Sequence, residues 1–170
     1  VIDRGYLNAI GWRGIRMRKT HLIEAITAAA QRLRAVGAPV RVADIAAGHG
    51  RYMREAVEQM ETHPQSVVLR DYSEVNVRDG MALIADKQLD NIARFEQADA
   101  FDEVALAALT PRPTITIVSG LYELFSDNDL VARSLRGLAR VIDPAGTEIY
   151  TGQPWHPQLE LIARTLTSHR

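Results

Sequence analysis

Short apolar runs alternate with stretches of helical period from Val40 to Leu166. The first run, Val40, Val42, Ala43, Ile45 and Ala46, is followed by a glycine pair and then by Tyr52, Met53, Ala56, Val57 and Met60 at helical spacing. This predicts strand, glycine turn and helix in that order. Val67, Val68 and Leu69 read as a second strand, and a helix starting near Ser73 carries Val75, Met81, Ala82, Ile84 and Ala85. A third strand falls near Ile92 to Ala98, then a brief helix over Val104 to Leu109 that Pro111 and Pro113 stop. Thr114 to Ser119 is the fourth strand. Ser126 with Asp129 three residues on resembles a capping box and opens a helix carrying Leu130, Val131, Leu135 and Leu138. Pro144 and Gly146 turn the chain into a fifth strand, Thr147 to Thr151, and Leu159 to Leu166 reads as a last helix. Ahead of all this, Leu22, Ile23, Ile26, Ala29, Leu33 and Val36 predict an amphipathic helix over 20–36, ended by Gly37 and Pro39. Five strands alternating with helices imply an α/β fold, a parallel sheet covered on both faces and joined by right-handed crossovers.

At 170 residues this is the size of one ordinary domain, arranged as a basic leader (1–19), an N-terminal helix (20–36) and a core from residue 40 onward. The absence of cysteine excludes a disulfide framework, a thiolate zinc site and a cysteine nucleophile, and makes a cytoplasmic setting the default expectation. No apolar stretch approaches the roughly 20 residues that cross a bilayer. With 20 basic and 21 acidic side chains, the chain lacks the excess of positive charge expected of a dedicated nucleic-acid binder. The balance is uneven, however: residues 1–54 hold ten basic and three acidic residues, net +7, and the remainder ten and eighteen, net −8.

In an open parallel sheet, ligands bind beyond the carboxyl ends of the strands, so the chemistry is sought there. The first end reads Asp44-Ile45-Ala46-Ala47-Gly48-His49-Gly50, the second Arg70-Asp71-Tyr72-Ser73, the third Gln97-Ala98-Asp99-Ala100-Phe101, and the fourth Ser119-Gly120-Leu121-Tyr122-Glu123. Gly48 and Gly50 permit a sharp turn and a close approach of a ligand to the backbone. Asp71 lies 21 residues past Gly50, where a carboxylate can accept both hydroxyl hydrogens of a ribose. Asp99 is placed to accept from an exocyclic amino group such as that of adenine. Taken singly, Gly-x-Gly is common after a strand and either acid could be a helix cap or a solvated turn, with Ser73 already a plausible cap. Together, at the ends of consecutive strands, they describe a nucleoside lying across the sheet edge.

On these residues, from about Val40 to Gly152, the sequence resembles the class I (Rossmann-like) S-adenosylmethionine-dependent methyltransferases. Val42-Ala43-Asp44-Ile45-Ala46-Ala47-Gly48-His49-Gly50 looks like that family's first motif, with Ala46 where its first glycine is usual. The resemblance implies S-adenosylmethionine as cofactor, contacted by Asp44, Ala46, Gly48, His49, Gly50 and Tyr72, with Asp71 at the ribose and Asp99 and Ala100 at the adenine. Ser119, Gly120, Tyr122 and Glu123 would lie beside the methionine moiety and the transferable methyl. It also implies a doubly wound sheet ordered 3-2-1-4-5 and, in a complete member, two further strands, the last antiparallel. The sequence supplies neither, so a fragment of a longer polypeptide, with a multidomain protein among the expectations, is implied. The segment Tyr6 to Arg16, with the Asp-x-Ala-Ala-Gly-His-Gly form, is similar to a bacterial group of candidate methyltransferases, some joined to hydrolase or other domains.

A nicotinamide dinucleotide site is the nearest competitor, but Met53 stands where that fingerprint wants a third glycine or alanine. A non-catalytic S-adenosylmethionine-binding domain of a larger protein is the other alternative. Methyl transfer is a displacement in line with the departing sulfur, so placement of the acceptor matters most. A hydroxyl or protonated amine as acceptor would need a base, and Tyr122, Glu123 and His156 are the candidates by location. The five histidines lack metal-ligand spacing, so no metal is expected. Arg13 in the leader is expected to pair with the cofactor's methionine carboxylate, in fork-to-carboxylate geometry. The acceptor is unidentified; a small molecule is favoured over an anionic phospholipid or nucleic acid.

Overall fold

The strand that begins the sheet is short because Pro39 precedes it and the glycine turn follows it. The structure, a computed structural model, describes residues 8–152 together with Glu160 and Arg164. The residues before Asn8, His156 and the bulk of the helix expected over Leu159 to Leu166 lie outside the described residues. The elements run α1 (Ile10–Ala35), β1 (Arg41–Asp44), α2 (Arg51–Glu58), β2 (Ser66–Asp71), α3 (Glu74–Asp86) and β3 (Ala93–Gln97). Then come α4 (Glu103–Ala107), β4 (Ile115–Ser119), a 3-10 turn (Tyr122–Leu124), α5 (Asn128–Val141) and β5 (Thr147–Thr151). The sheet order is β3-β2-β1-β4-β5, every pair parallel, as the resemblance implied.

Alternation along the strands divides the core in two. Val42, Val67, Leu69, Ile115 and Ile117 face α1, α2 and α3, packing against Ile26, Leu33, Met53, Val57 and Ile84. Ala43, Val68 and Val118 point the other way, to Leu106 of α4 and Leu138 and Val141 of α5. Each fully buried side chain of this size contributes about 1.5–3 kcal/mol relative to exposure. Thr114, wholly buried, links two strand starts: its hydroxyl donates to the Pro39 carbonyl and accepts from the Arg41 amide, each at 2.9 Å.

Four local expectations are corrected. The N-terminal helix begins at Ile10, not near residue 20, so residues 10–19 of the expected leader are helical. Apolar periodicity registers only the packed half of this helix; Ile10, Trp12, Ile15 and Met17 are exposed. Val36 is exposed too, because it caps the helix beyond its last packed turn. On α3, Val75 and Met81 face solvent and the buried positions are Gly80 and Ile84. The Phe95 ring fills the place of a side chain at Gly80, where a Cβ would stand 2.2 Å from Phe95 Cε2. Finally, α5 is capped by Asp127, whose carboxylate accepts from the Asp129 amide at 2.8 Å, and not by Ser126.

Candidate functional site

Parallel register brings the ends of all five strands to one edge. Asp44 stands beside Leu69 and Ile117, Asp71 beside Gln97, and Ser119 beside Thr151. Beyond them opens a cleft of about 700 Å³.

Its floor is the glycine turn. The Ile45 amide donates to the Ile117 carbonyl and the Ala47 amide to the Arg70 carbonyl, both at 2.9 Å, holding the turn to the strands on either side. Gly48 and Gly50 have φ of 58° and 68°, a region that side chains with a Cβ disfavour. At Gly50 a Cβ would also meet Leu69 Cδ1 at 2.8 Å, whereas at Gly48 it would meet nothing within 4 Å. Gly48 thus borders the open cleft and Gly50 is packed behind it. Ala46, where the first motif prefers glycine, lines the cleft too; Gln88 is the non-glycine residue with positive φ among the described residues, so Ala46 carries no left-handed strain.

Asp71 ties the floor to the side wall. Its Oδ2 accepts from the Gly48 amide at 2.9 Å; its Oδ1 accepts from the Ser73 amide at 2.9 Å and Asn76 Nδ2 at 3.0 Å. A carboxylate offers about four lone-pair sites, so Oδ2 keeps room for a further donor from the cleft. Ser73 also caps α3, accepting from the Asn76 amide at 3.4 Å. Asn76 was not singled out in the sequence; its signal is its position in the first turn of the helix that Asp71 precedes. Asp99, exposed on the wall, accepts from the Phe101 amide at 2.8 Å, which sets the loop carrying Ala100 and Phe101. Phe101 meets Phe125 edge to face, centroids 4.7 Å apart. With Leu121, Leu124 and Leu130 they make an apolar wall, bordered by Arg133. Tyr72, 78% exposed, and Ser119 and Gly120 complete the lining.

Other expected residues stand elsewhere. Asp44 is fully buried beneath the floor. Burial pushes its carboxyl up to about 7, against the opposing pull of the Tyr52 hydroxyl, which donates to its Oδ2, and of the Ala46 backbone. The same burial, with Asp44 alongside, raises Tyr52. His49 turns from the cleft towards α3, its Nε2 3.8 Å from Asp79 Oδ2. Arg13 is exposed on α1 and is not among the cleft-lining residues; the arginine at the strand ends is Arg18, one and a half turns along, whose Nη1 donates to Glu123 Oε1 at 2.8 Å. Tyr122 donates to Ser134 Oγ at 2.9 Å, towards the α4–α5 core, and burial raises its hydroxyl. Neither Tyr122 nor Glu123 lines the cleft. Among the described residues no three acids and histidines gather as metal ligands, and no helix is long and apolar enough to cross a membrane.

A family model described as "Putative methyltransferase" matches residues 1–170. The chain is 57% identical over 170 residues to the Escherichia coli K12 protein named "Uncharacterized protein YnbC"; the match covers all of this chain and 29% of YnbC. The chain therefore spans less than a third of that relative. Among solved structures it is similar to the [4+2]-cyclase SpnF, with TM-score 0.58 and 18% identity over 78% of this chain and 44% of that one. It is likewise similar to the bifunctional kinase-methyltransferase WbdD, with TM-score 0.57 and 22% identity over 72% of this chain and 27% of that one. These two likenesses are of fold, and a cyclase and a methyltransferase sharing it is ordinary for a scaffold that hosts many reactions.

Proposed function

The chain belongs to this methyltransferase family, and we propose that it transfers a methyl group from S-adenosylmethionine to a small-molecule acceptor by in-line displacement at the methyl carbon. The observation that carries the cofactor assignment is Asp71: a strand-end carboxylate that anchors the Gly48 turn and still presents an acceptor to the cleft. A vicinal diol offers two donors to such a group. The residues around it fit the rest of an adenosyl ligand. Gly48 leaves its backbone uncovered, Asp99 offers an acceptor to an amino group, and Ala100, Leu121 and Phe125 supply apolar surface for a base.

S-adenosylmethionine supplies an electrophilic methyl on a sulfonium, with a neutral thioether as leaving group. The chain's contribution is placement and exclusion of water. Asp71 fixes the ribose, the Asp99–Phe101 loop fixes the base, and Ser119 and Gly120 border the position beyond the ribose. The Ser119 hydroxyl is bonded to Thr151 Oγ1 at 2.8 Å, which holds that border to β5. Proton removal is not assigned to Tyr122 or Glu123, since Ser134 and Arg18 occupy them. An acceptor that is nucleophilic without losing a proton first, such as a neutral amine or a carboxylate, needs no base for the transfer step.

Calorimetry with S-adenosylmethionine, S-adenosylhomocysteine and NAD on the wild type and on Asp71→Ala tests the proposal. The adenosyl ligands should bind the wild type, and Asp71→Ala should weaken them by roughly ten- to a hundredfold, the range for a hydrogen bond to a charged group. Tight NAD binding with none to the adenosyl ligands would overturn it.

A further inference from the structure

A buried acid ends the strand under the cleft floor, and nothing in the proposed transfer uses it. Asp44 closes β1, the central strand, and is wholly buried. The turn that follows it supplies the floor: Ile45, Ala46 and Gly48 line the cleft, while Asp44 does not. Two groups hold its carboxyl in place. The Tyr52 hydroxyl of α2 donates to Oδ2, and the backbone of Ala46, part of the floor itself, also bonds to it.

The groups that face this carboxyl set its titration. Burial, the largest influence, raises it to about 7; Tyr52 and Ala46 oppose the rise, and Asp71 at the end of β2 adds to it as a like charge. From α1, Arg18 acts on Tyr52, whose hydroxyl is nevertheless raised well above the ordinary 10 and stays a donor throughout the neutral range. The residues paired with Asp44 in the sheet, Leu69 and Ile117, carry no charge. Within the Asp44–Tyr52 pair, then, it is Asp44 that changes charge near neutrality.

A ligand spanning the cleft crosses this strand end. Asp71 ends β2 and Ser119 ends β4, with β1 between them and each strand about 5 Å from the next. A ribose at Asp71 and a group bordered by Ser119 and Gly120 are therefore joined across the end of β1. In S-adenosylmethionine the joining atom is a sulfonium, and in S-adenosylhomocysteine it is a neutral thioether. The two ligands differ little in shape, but a cation over the floor favours an ionised carboxyl beneath it and a neutral sulfur does not.

We propose that Asp44 is the residue by which the chain tells the charged methyl donor from its spent, neutral product: sulfonium binding drives the buried Asp44 proton out to solvent, and loss of the methyl lets Asp44 take one back. The inference rests on the nucleoside site proposed above. It gives Asp44, expected from the sequence as a cofactor contact, an influence exerted through the floor without touching the ligand. Because the ionised carboxyl favours the sulfonium, preference for S-adenosylmethionine over S-adenosylhomocysteine rises with pH through about 7 and levels off above it.

Calorimetry in buffers of different ionisation heat counts the protons. At pH 7 the wild type should release up to about half a proton more than Asp44→Asn on binding S-adenosylmethionine, and no more than that variant on binding S-adenosylhomocysteine. The ligand's own ammonium cancels in each difference. Between pH 6 and pH 8 the ratio of the two affinities should rise roughly fivefold relative to the same ratio in Asp44→Asn, the scale for unit charges within about 10 Å at an effective dielectric near 20. Tyr52→Phe removes a hydrogen bond that favours the ionised carboxyl, so it should move the midpoint of that rise to higher pH, a test that stands where Asp44→Asn does not fold. Histidine titrates in the same range, and His49→Gln should leave the release unchanged. Equal release with both ligands in the wild type, or release that survives Asp44→Asn, overturns this inference alone. A wild type that binds neither ligand overturns the nucleoside site as well.

Discussion

Asp44 shows how far a single side chain's chemistry depends on where the backbone puts it. As the last residue of a strand before a glycine turn it invites a role at the ligand; in the fold it is sealed below the turn, bonded to Tyr52. Burial raises its carboxyl from the ordinary 3.8 to about 7, so the folded chain holds a proton that the unfolded chain has released over that range. The sign follows from linkage: the group's contribution is complete below about pH 4 and is lost as pH rises to about 7, by up to about 4 kcal/mol. Asp44→Asn cannot titrate. Urea denaturation should therefore find the wild type losing stability relative to Asp44→Asn between about pH 4 and pH 7, with a constant difference at higher pH. A difference independent of pH across that range would contradict the buried, proton-holding carboxyl. Asp71, by contrast, was legible in the sequence, because its distance from the glycine turn sets it at the next strand end and its bonds to Gly48 and Ser73 are local to that edge.

Element types and order could be read almost completely, since strand and helix periods differ and proline and glycine punctuate them. Faces and caps were less accessible. On α3 the apolar residues Val75 and Met81 lie outside, and a glycine lies inside because an aromatic ring from β3 occupies its place. Periodicity counts side chains and so cannot see a contact made by the lack of one. The cap of α5 makes a sharper case, with Ser126 and Asp127 adjacent and both competent. Asp127 has extended backbone and its carboxylate reaches the Asp129 amide. Asp127→Ala should cost about 1 kcal/mol in chemical denaturation and Ser126→Ala only a few tenths. Equal losses would mean the cap is shared.

The whole molecule resolves the uneven charge. The first 54 residues carry net +7 and the remainder net −8. Folding sets these parts against each other: Arg18 meets Glu123, Lys19 meets Glu55, Arg41 meets Asp143 and Arg54 meets Glu58. Exposed pairs of this kind add little stability, about 0–1 kcal/mol each, but they diminish the field an approaching polyanion would feel. The chain should show no retardation of duplex DNA at about 0.15 M salt, where surface charges farther apart than about 8 Å are screened. Binding that persists there, with a steep salt slope, would reveal a basic face these pairs do not neutralise.

Strand ends, glycine turn and their acids were written locally in the chain. Hydrophobic period places each strand, the sheet's parallel habit places each end, and residues next to an end reach the edge wherever the rest of the chain goes. The partners that come from far along the chain were not written there. Arg18 and Glu123 are 105 residues apart, and nothing in either neighbourhood names the other. Their meeting depends on α1 running further towards its N-terminus than its apolar stripe indicates, packing beside β4, and finding at Gly120 a backbone bare enough to receive a guanidinium. Such a contact is a property of packing in three dimensions, where helix placement, strand order and a missing Cβ must all agree.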